Sequence, residues 1–175
     1  ITTEENKIMT TEQTANETTA EDITFYVNMD FSKLANDINN GNVAHQFNGK
    51  GRKVTYLTAE QESTYFYYSS DSAGEDKITP PFEMSDGDTV TCWLQAWNNG
   101  DGSDSSKAKF KWKNILQNRF DLHQVSTESK AQVTYKAVIT EGATETDTVI
   151  INIHFKLNSD KFSIAWDPRV RVIKT

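Results

Sequence analysis

Apolar residues fall on every second position near the end of the chain, where Ile151, Ile153, Phe155 and Leu157 alternate with Asn152, His154 and Lys156. A period of two marks a strand with one face in the core and the other in water. Asn158-Ser159-Asp160 then supplies turn residues. After Trp166-Asp167-Pro168 the alternation resumes, with Val170 and Val172 set against Arg169, Arg171 and Ile173. This pattern predicts a closing hairpin over residues 149–175 and a chain end held inside the fold.

The same reading extends upstream. Ile23 to Phe31 alternates β-branched and aromatic residues, and Ser32–Ile38, with Leu34 and Ile38 four apart, predicts one or two helical turns. Asn39-Asn40-Gly41 ends them, because these residues tolerate left-handed backbone. Strands are predicted at Lys53–Thr58 and Thr64–Ser69, separated by the polar Ala59–Ser63, and Ser70–Asp76 reads as a loop. Asp86-Gly87-Asp88 is a turn before a long strand, Thr89–Trp97. On that strand Val90, Cys92, Leu94 and Ala96 form the expected core face, and Thr91, Trp93, Gln95 and Trp97 the opposite one. Asn98–Ser106 is expected to be the most flexible loop. Further strands follow at Ala108–Leu116 and Gln132–Thr140. Short strands at regular spacing with one marginal helix predict an all-β domain over residues 22–175, an antiparallel β-sandwich of Ig-like or jelly-roll-like type.

Residues 1–21 differ. They are mostly Thr, Glu, Gln and Asn, too polar to offset the entropy of ordering, so they read as an extended arm. Ile8 and Met9 are its apolar anchors, placed to lie on the body of the protein or on a neighbour.

Composition narrows the function classes. The 175 residues are 36% hydrophobic and 11% aromatic, so rings supply much of the buried area. A net charge of −7 argues against nucleic acid, whose phosphates demand clustered cations, and it suits metal cations instead. The single cysteine, Cys92, excludes an intrachain disulfide and fits a reducing compartment. No apolar run reaches the roughly 20 residues that span a bilayer. A cytoplasmic location is expected, with secretion or the cell surface as the alternative.

No catalytic constellation is legible. His45, His123 and His154 stand apart from one another, outside any HExxH or CxxC frame, and neither a nucleophile elbow nor a phosphate-cradling glycine loop occurs. Binding is better represented. Asn98–Asp104 is rich in oxygen donors, so Asp101 and Asp104 are candidate ligands for a divalent cation such as calcium, against the plainer reading of a solvated turn. Asp71, Glu75 and Asp76 make a second acidic loop. Trp93 and Trp97 share a strand face about 13 Å apart, and exposed aromatic rings stack on sugars. The alternative is that they cover a core, with Tyr65, Tyr67 and Tyr68 extending either surface. The candidate carbohydrate site is therefore Trp93, Trp97, Asp101 and Asp104, with no cofactor required beyond that cation.

Three segments resemble the AidA/PixA family of bacterial inclusion body proteins. They are Ile23–Phe31, an apolar run reaching an Asp; Phe82–Trp97, where Gly87-Asp88-Thr89-Val90 enters a Trp-bearing strand; and Phe155–Val172, which holds Trp166-Asp167-Pro168. The chain departs from the family at Phe162-Ser163-Ile164-Ala165, where a glycine and aromatics are usual. The resemblance implies a β-sandwich without enzymatic chemistry that self-associates in cytoplasmic inclusions, in a family with a relative described as a cation-dependent fucose-binding lectin. It transfers no binding residue, and it implies a structural role for Trp166, Asp167 and Pro168. The rival reading is a secreted structural subunit that builds a filament or lattice by strand donation from the arm.

Overall fold

The first strand, β1 (Asp22–Met29), buries Phe25, Val27 and Met29 on one face and directs Tyr26 to the other. In this computed structural model, residues 20–99, 104–117, 120–129, 132–139, 147–148, 150–166 and 169–172 are described. Ile8, Met9 and the rest of the arm up to residue 19 lie outside them, as do Asp101, Asp167 and Pro168.

Asp30 turns β1 into a helix. Its carboxylate accepts the Lys33 N–H at 3.0 Å, which caps α1 (Phe31–Asn39) as an N-cap side chain should. Phe31, Leu34, Ala35 and Ile38 put one face of α1 in the core, and the helix stops at Asn40 before Gly41, whose φ of 79° is left-handed. β2 (Gln46–Phe47) and β3 (Lys53–Tyr56) follow. The segment expected to be a polar spacer is instead a second helix, α2 (Ala59–Tyr65). Thr58 and Gln61 form a reciprocal capping box that nucleates it, so Thr64 and Tyr65 end a helix rather than begin a strand. The Tyr65 hydroxyl donates to Asp37 at 2.7 Å and ties the two helices together; burial and that carboxylate push the phenol pKa up.

The remaining elements are β4 (Phe66–Ser69), β5 (Lys77–Ile78), β6 (Phe82–Met84), β7 (Thr89–Ala96), a 3-10 turn (Ser105–Lys107), β8 (Lys109–Gln117), β9 (Phe120–Ser129), β10 (Gln132–Ile139), β11 (Asp147–Thr148), β12 (Ile150–Leu157), β13 (Asp160–Trp166) and β14 (Arg169–Val172). They form a six-stranded sheet in the order β5-β4-β1-β7-β10-β9, a five-stranded sheet β2-β3-β13-β12-β8 and a three-stranded sheet β11-β14-β6. The predicted closing hairpin is β12–β13, turning at Asn158 with φ 55°, and β14 carries the chain on into the third sheet.

Among the described residues the structure is thus mostly strand with two helices, and it corrects the antiparallel sandwich to mixed sheets. All three sheets are mixed, because β1 runs parallel to β7, β3 to β13 and β6 to β14. Each of these pairs joins strands far apart in sequence, as parallel neighbours require. Side-chain alternation is the same in parallel and antiparallel strands, so the pattern carried no signal of direction.

The inward faces of the two large sheets share one core with α1. Trp166 sits at its centre, fully buried, with its ring 5.0 Å from Phe66 and 6.2 Å from Trp112. Its indole N–H donates to the Tyr68 hydroxyl at 2.9 Å, crossing from one sheet to the other. Val90, Cys92 and Leu94 are buried as expected, and burial pushes the Cys92 thiol up. Ala96, predicted for the same face, is exposed because β7 ends there and the core does not reach it.

Candidate functional site

The outward face of the six-stranded sheet holds the two tryptophans. Tyr26 and Trp93 are register partners on β1 and β7, and their rings stack at 6.4 Å with an interplanar angle of 12°. One row further on, the Gln95 amide donates to Asn28 Oδ1 at 2.6 Å and to the Ser72 carbonyl at 2.9 Å, while Asn28 Nδ2 donates to Ser69 Oγ at 2.9 Å. Beyond them Tyr67 meets Trp97 edge to face, with centroids 4.8 Å apart. Both tryptophans are half-buried.

The loop Ser70–Asp76 closes over this network. Asp71 accepts the Asp76 N–H at 2.8 Å, and the Tyr67 hydroxyl donates to the Gly74 carbonyl at 3.0 Å. Gly74 has a φ of +73°, and a Cβ there would lie 2.3 Å from the Tyr67 hydroxyl oxygen, so only glycine fits. Lys77 lies 4.8 Å above the Tyr67 ring, while burial, with the Asp71 charge behind it, raises that phenol. Asn28 and Ser69 are buried. Tyr26, Asn28 and Ser69 carried no sequence signal for this site, and Gln95 only its place on the outward face of β7; their joint role depends on strand pairing.

The oxygen-rich loop after Trp97 is anchored at both ends by one side chain. Asp30 is fully buried, and besides capping α1 its carboxylate accepts the Ser105 hydroxyl at 2.8 Å and the Asn99 N–H at 3.1 Å. Ser105 in turn donates its N–H to Asn98 Oδ1 at 2.8 Å and accepts the Ser32 N–H at 3.1 Å. A carboxylate in a water-free site must be paired or fully hydrogen-bonded. Here three donors and the N-terminus of α1 do so. Asp104 caps the 3-10 turn, accepting the Ser106 N–H at 3.0 Å and the Ser106 hydroxyl; these bonds lower its pKa. Trp97, whose N–H donates to the Met29 carbonyl at 2.9 Å, and Asp104, next to Ser105, converge on the end of β1. Among the described residues no three His, Cys, Asp or Glu side chains gather to hold a metal ion. Asp88, from the second resembling segment, is also buried and structural, accepting the Glu21 and Ser85 N–H groups at 2.9 and 2.7 Å.

The outward face of the five-stranded sheet is different in kind. Lys109 on β8, Lys156 on β12 and Lys161 on β13 stand directly opposite one another in register. In the next row Lys111 faces His154. A groove of about 210 Å³ opens among Arg52, Lys109, Lys111, His154 and Lys156. Burial, then the charges of Arg52, Lys113, Lys111 and Lys50, drive the His154 pKa down to about 4. The sequence held a signal for this surface, Lys109, Lys111 and Lys113 alternating with Phe110 and Trp112, which the acidic net charge obscured.

No protein-family profile matches the chain, and no curated protein matches it. Among solved structures it is similar to the inclusion body protein PixA of Burkholderia cenocepacia J2315, with a TM-score of 0.54 and 11% sequence identity. The match covers 91% of this chain and 99% of that one. At such identity the likeness establishes a PixA-like fold.

Proposed function

We propose that the chain is a non-catalytic protein that associates with copies of itself and accumulates as a cytoplasmic inclusion. The observation that carries this reading is the fold likeness to an inclusion body protein over 91% of the chain, which matches the resemblance already visible in three separate segments. The described surface supports it too, since the Gln95–Asn28–Ser69 network is sealed under a loop instead of being open to a substrate. Sedimentation across a hundredfold concentration range tests it, with electron microscopy of cells expressing the chain. Concentration-dependent oligomers and dense intracellular bodies are expected; a monomer throughout ends the reading.

A second reading, glycan binding, is favoured by the two Tyr–Trp pairs on one sheet face. In it Trp93 and Trp97 provide apolar platforms, and Asp101 and Asp104 hold a divalent cation such as calcium. A glycan array probed with and without a chelator is the test. Signal that vanishes with the chelator and with Trp97→Ala supports the reading, and no signal under either condition removes it.

A further inference from the structure

We infer that the lysine-rich outward face of the five-stranded sheet docks onto the acidic opposite face of a second copy, so that copies stack front to back. The inference rests on the self-association proposed above and names its surfaces.

Lys109, Lys156 and Lys161 are exposed neighbours on three adjacent strands, about 5 Å apart by strand spacing. None has a carboxylate within ion-pair distance among the described residues, whereas Lys53 on the same sheet has Asp160 at 3.6 Å. Like charges directly opposite in a sheet destabilise it. Three in one row, with Arg52 and Lys111 beside the same groove, are a cost that no ion pair among the described residues offsets. Burial, reinforced by the surrounding cations, also disfavours a charge on His154 there. An uncompensated local conflict of this sort marks a surface whose partner is outside the fold.

The chain itself supplies the matching charge. It has 25 acidic against 18 basic residues, so gathering cations on one face leaves the remainder more acidic than the whole. Asp71, Glu75 and Asp76 lie in the loop that the Gln95–Ser72 hydrogen bond fixes over the outward side of the six-stranded sheet. The two large sheets share one core, so their outward faces point in opposite directions. Val54 and Tyr56, 37% and 51% exposed, add apolar area on the lysine side, where Val54 is the register partner of Ser163 and Tyr56 of Ala165. Because the two docking surfaces are different patches on opposite sides, the contact is heterologous. Unless rotation closes a ring, it propagates into an open array. That is the form an inclusion requires.

The experiment is sedimentation velocity on the full chain, at about 50 mM and about 500 mM salt, a range over which screening shortens the Debye length severalfold. Wild-type oligomers are expected to fall apart at the higher salt. Both K109E/K156E/K161E and E75K/D76K are expected to weaken association at least ~10-fold at low salt, as reversal of complementary charge does. Mixed together, the two variants should associate again, because each retains the surface the other has lost. If the lysine variant loses its cooperative melting transition, the milder K109Q/K156Q/K161Q provides the same readout. Oligomers indifferent to salt and to both variants overturn the inference and leave self-association standing. A wild-type monomer at every concentration overturns both. Weakened variants that fail to pair when mixed overturn the front-to-back arrangement. So does a wild-type chain that binds polyphosphate through this row while the lysine variant still assembles.

Discussion

The outward faces of the two large sheets are built from the same alternation of residues, yet one is closed and the other open. On the six-stranded sheet the polar groups satisfy one another: Gln95 bonds Asn28, Asn28 bonds Ser69, and a loop seals them. On the five-stranded sheet Lys109, Lys156 and Lys161 repel across the strands, and nothing in the described residues neutralises them. A satisfied buried network rigidifies the fold and leaves little free energy for a ligand. An unsatisfied charged row does the reverse, lowering the stability of the monomer and offering that energy to whatever covers it.

If this contrast holds, substitutions on the closed side cost stability and substitutions on the open side restore it. The largest effect should come from Asp30, which anchors the loop after Trp97 at the end of β1. Asp30→Ala strips the cap from α1 and leaves the buried Ser105 hydroxyl and the part-buried Asn99 N–H without their acceptor, for an expected loss of about 3 kcal/mol in urea unfolding. A loss within experimental error would mean that the loop after Trp97 is held by something else. Next is Gly74→Ala, which forces a Cβ against the Tyr67 hydroxyl at left-handed φ; roughly 2 kcal/mol is expected, with a change in Tyr67 and Trp97 fluorescence.

The open side should respond with the opposite sign. Lys156→Gln, the middle of the lysine row, is expected to stabilise the monomer by about 0.5 kcal/mol at low salt, an increment that fades as salt screens the repulsion. Destabilisation there would break the comparison. The effect that vanishes at neutral pH concerns His154. Its pKa is depressed from 6.5 to about 4 in the folded chain, so the unfolded chain takes up the proton more readily. The corresponding stability is complete above about pH 6.5 and drains away as pH falls through 4. His154→Gln should therefore flatten the acid limb of a urea-midpoint-against-pH curve in that window and leave it unchanged above it.

Several elements were legible because they obey local rules. Leu34 and Ile38 marked the buried stripe of α1, Asn40 and Gly41 its end, and the Val90–Cys92–Leu94 face of β7 lies in the core. The helix α2 was also written in the chain, since Thr58 and Gln61 spell a capping box; its polar surface disguised it as a spacer. The candidate site was legible only in part. Trp93 and Trp97 do share a face, but their tyrosine partners come from β1 and β4, and the depth of Asn28 beneath the loop depends on Gly74. No window of neighbouring residues contains that information.

The sequence by itself marked β1, β7, β12 and β13 as strands, set the core-facing side of β7 and β12, and indicated that aromatic rings would help fill the core, because alternation and composition are properties of single segments; α2 and β9 escaped it. The direction and order of the strands were decided only in three dimensions. Asn28 and Gln95 are 67 positions apart, and their pairing in parallel strands depends on the loops and helices between them. The same holds for charge. A net value of −7 describes the whole chain, whereas the meeting of three lysines on one face is a consequence of register. Register belongs to pairs of strands, and no single strand carries it.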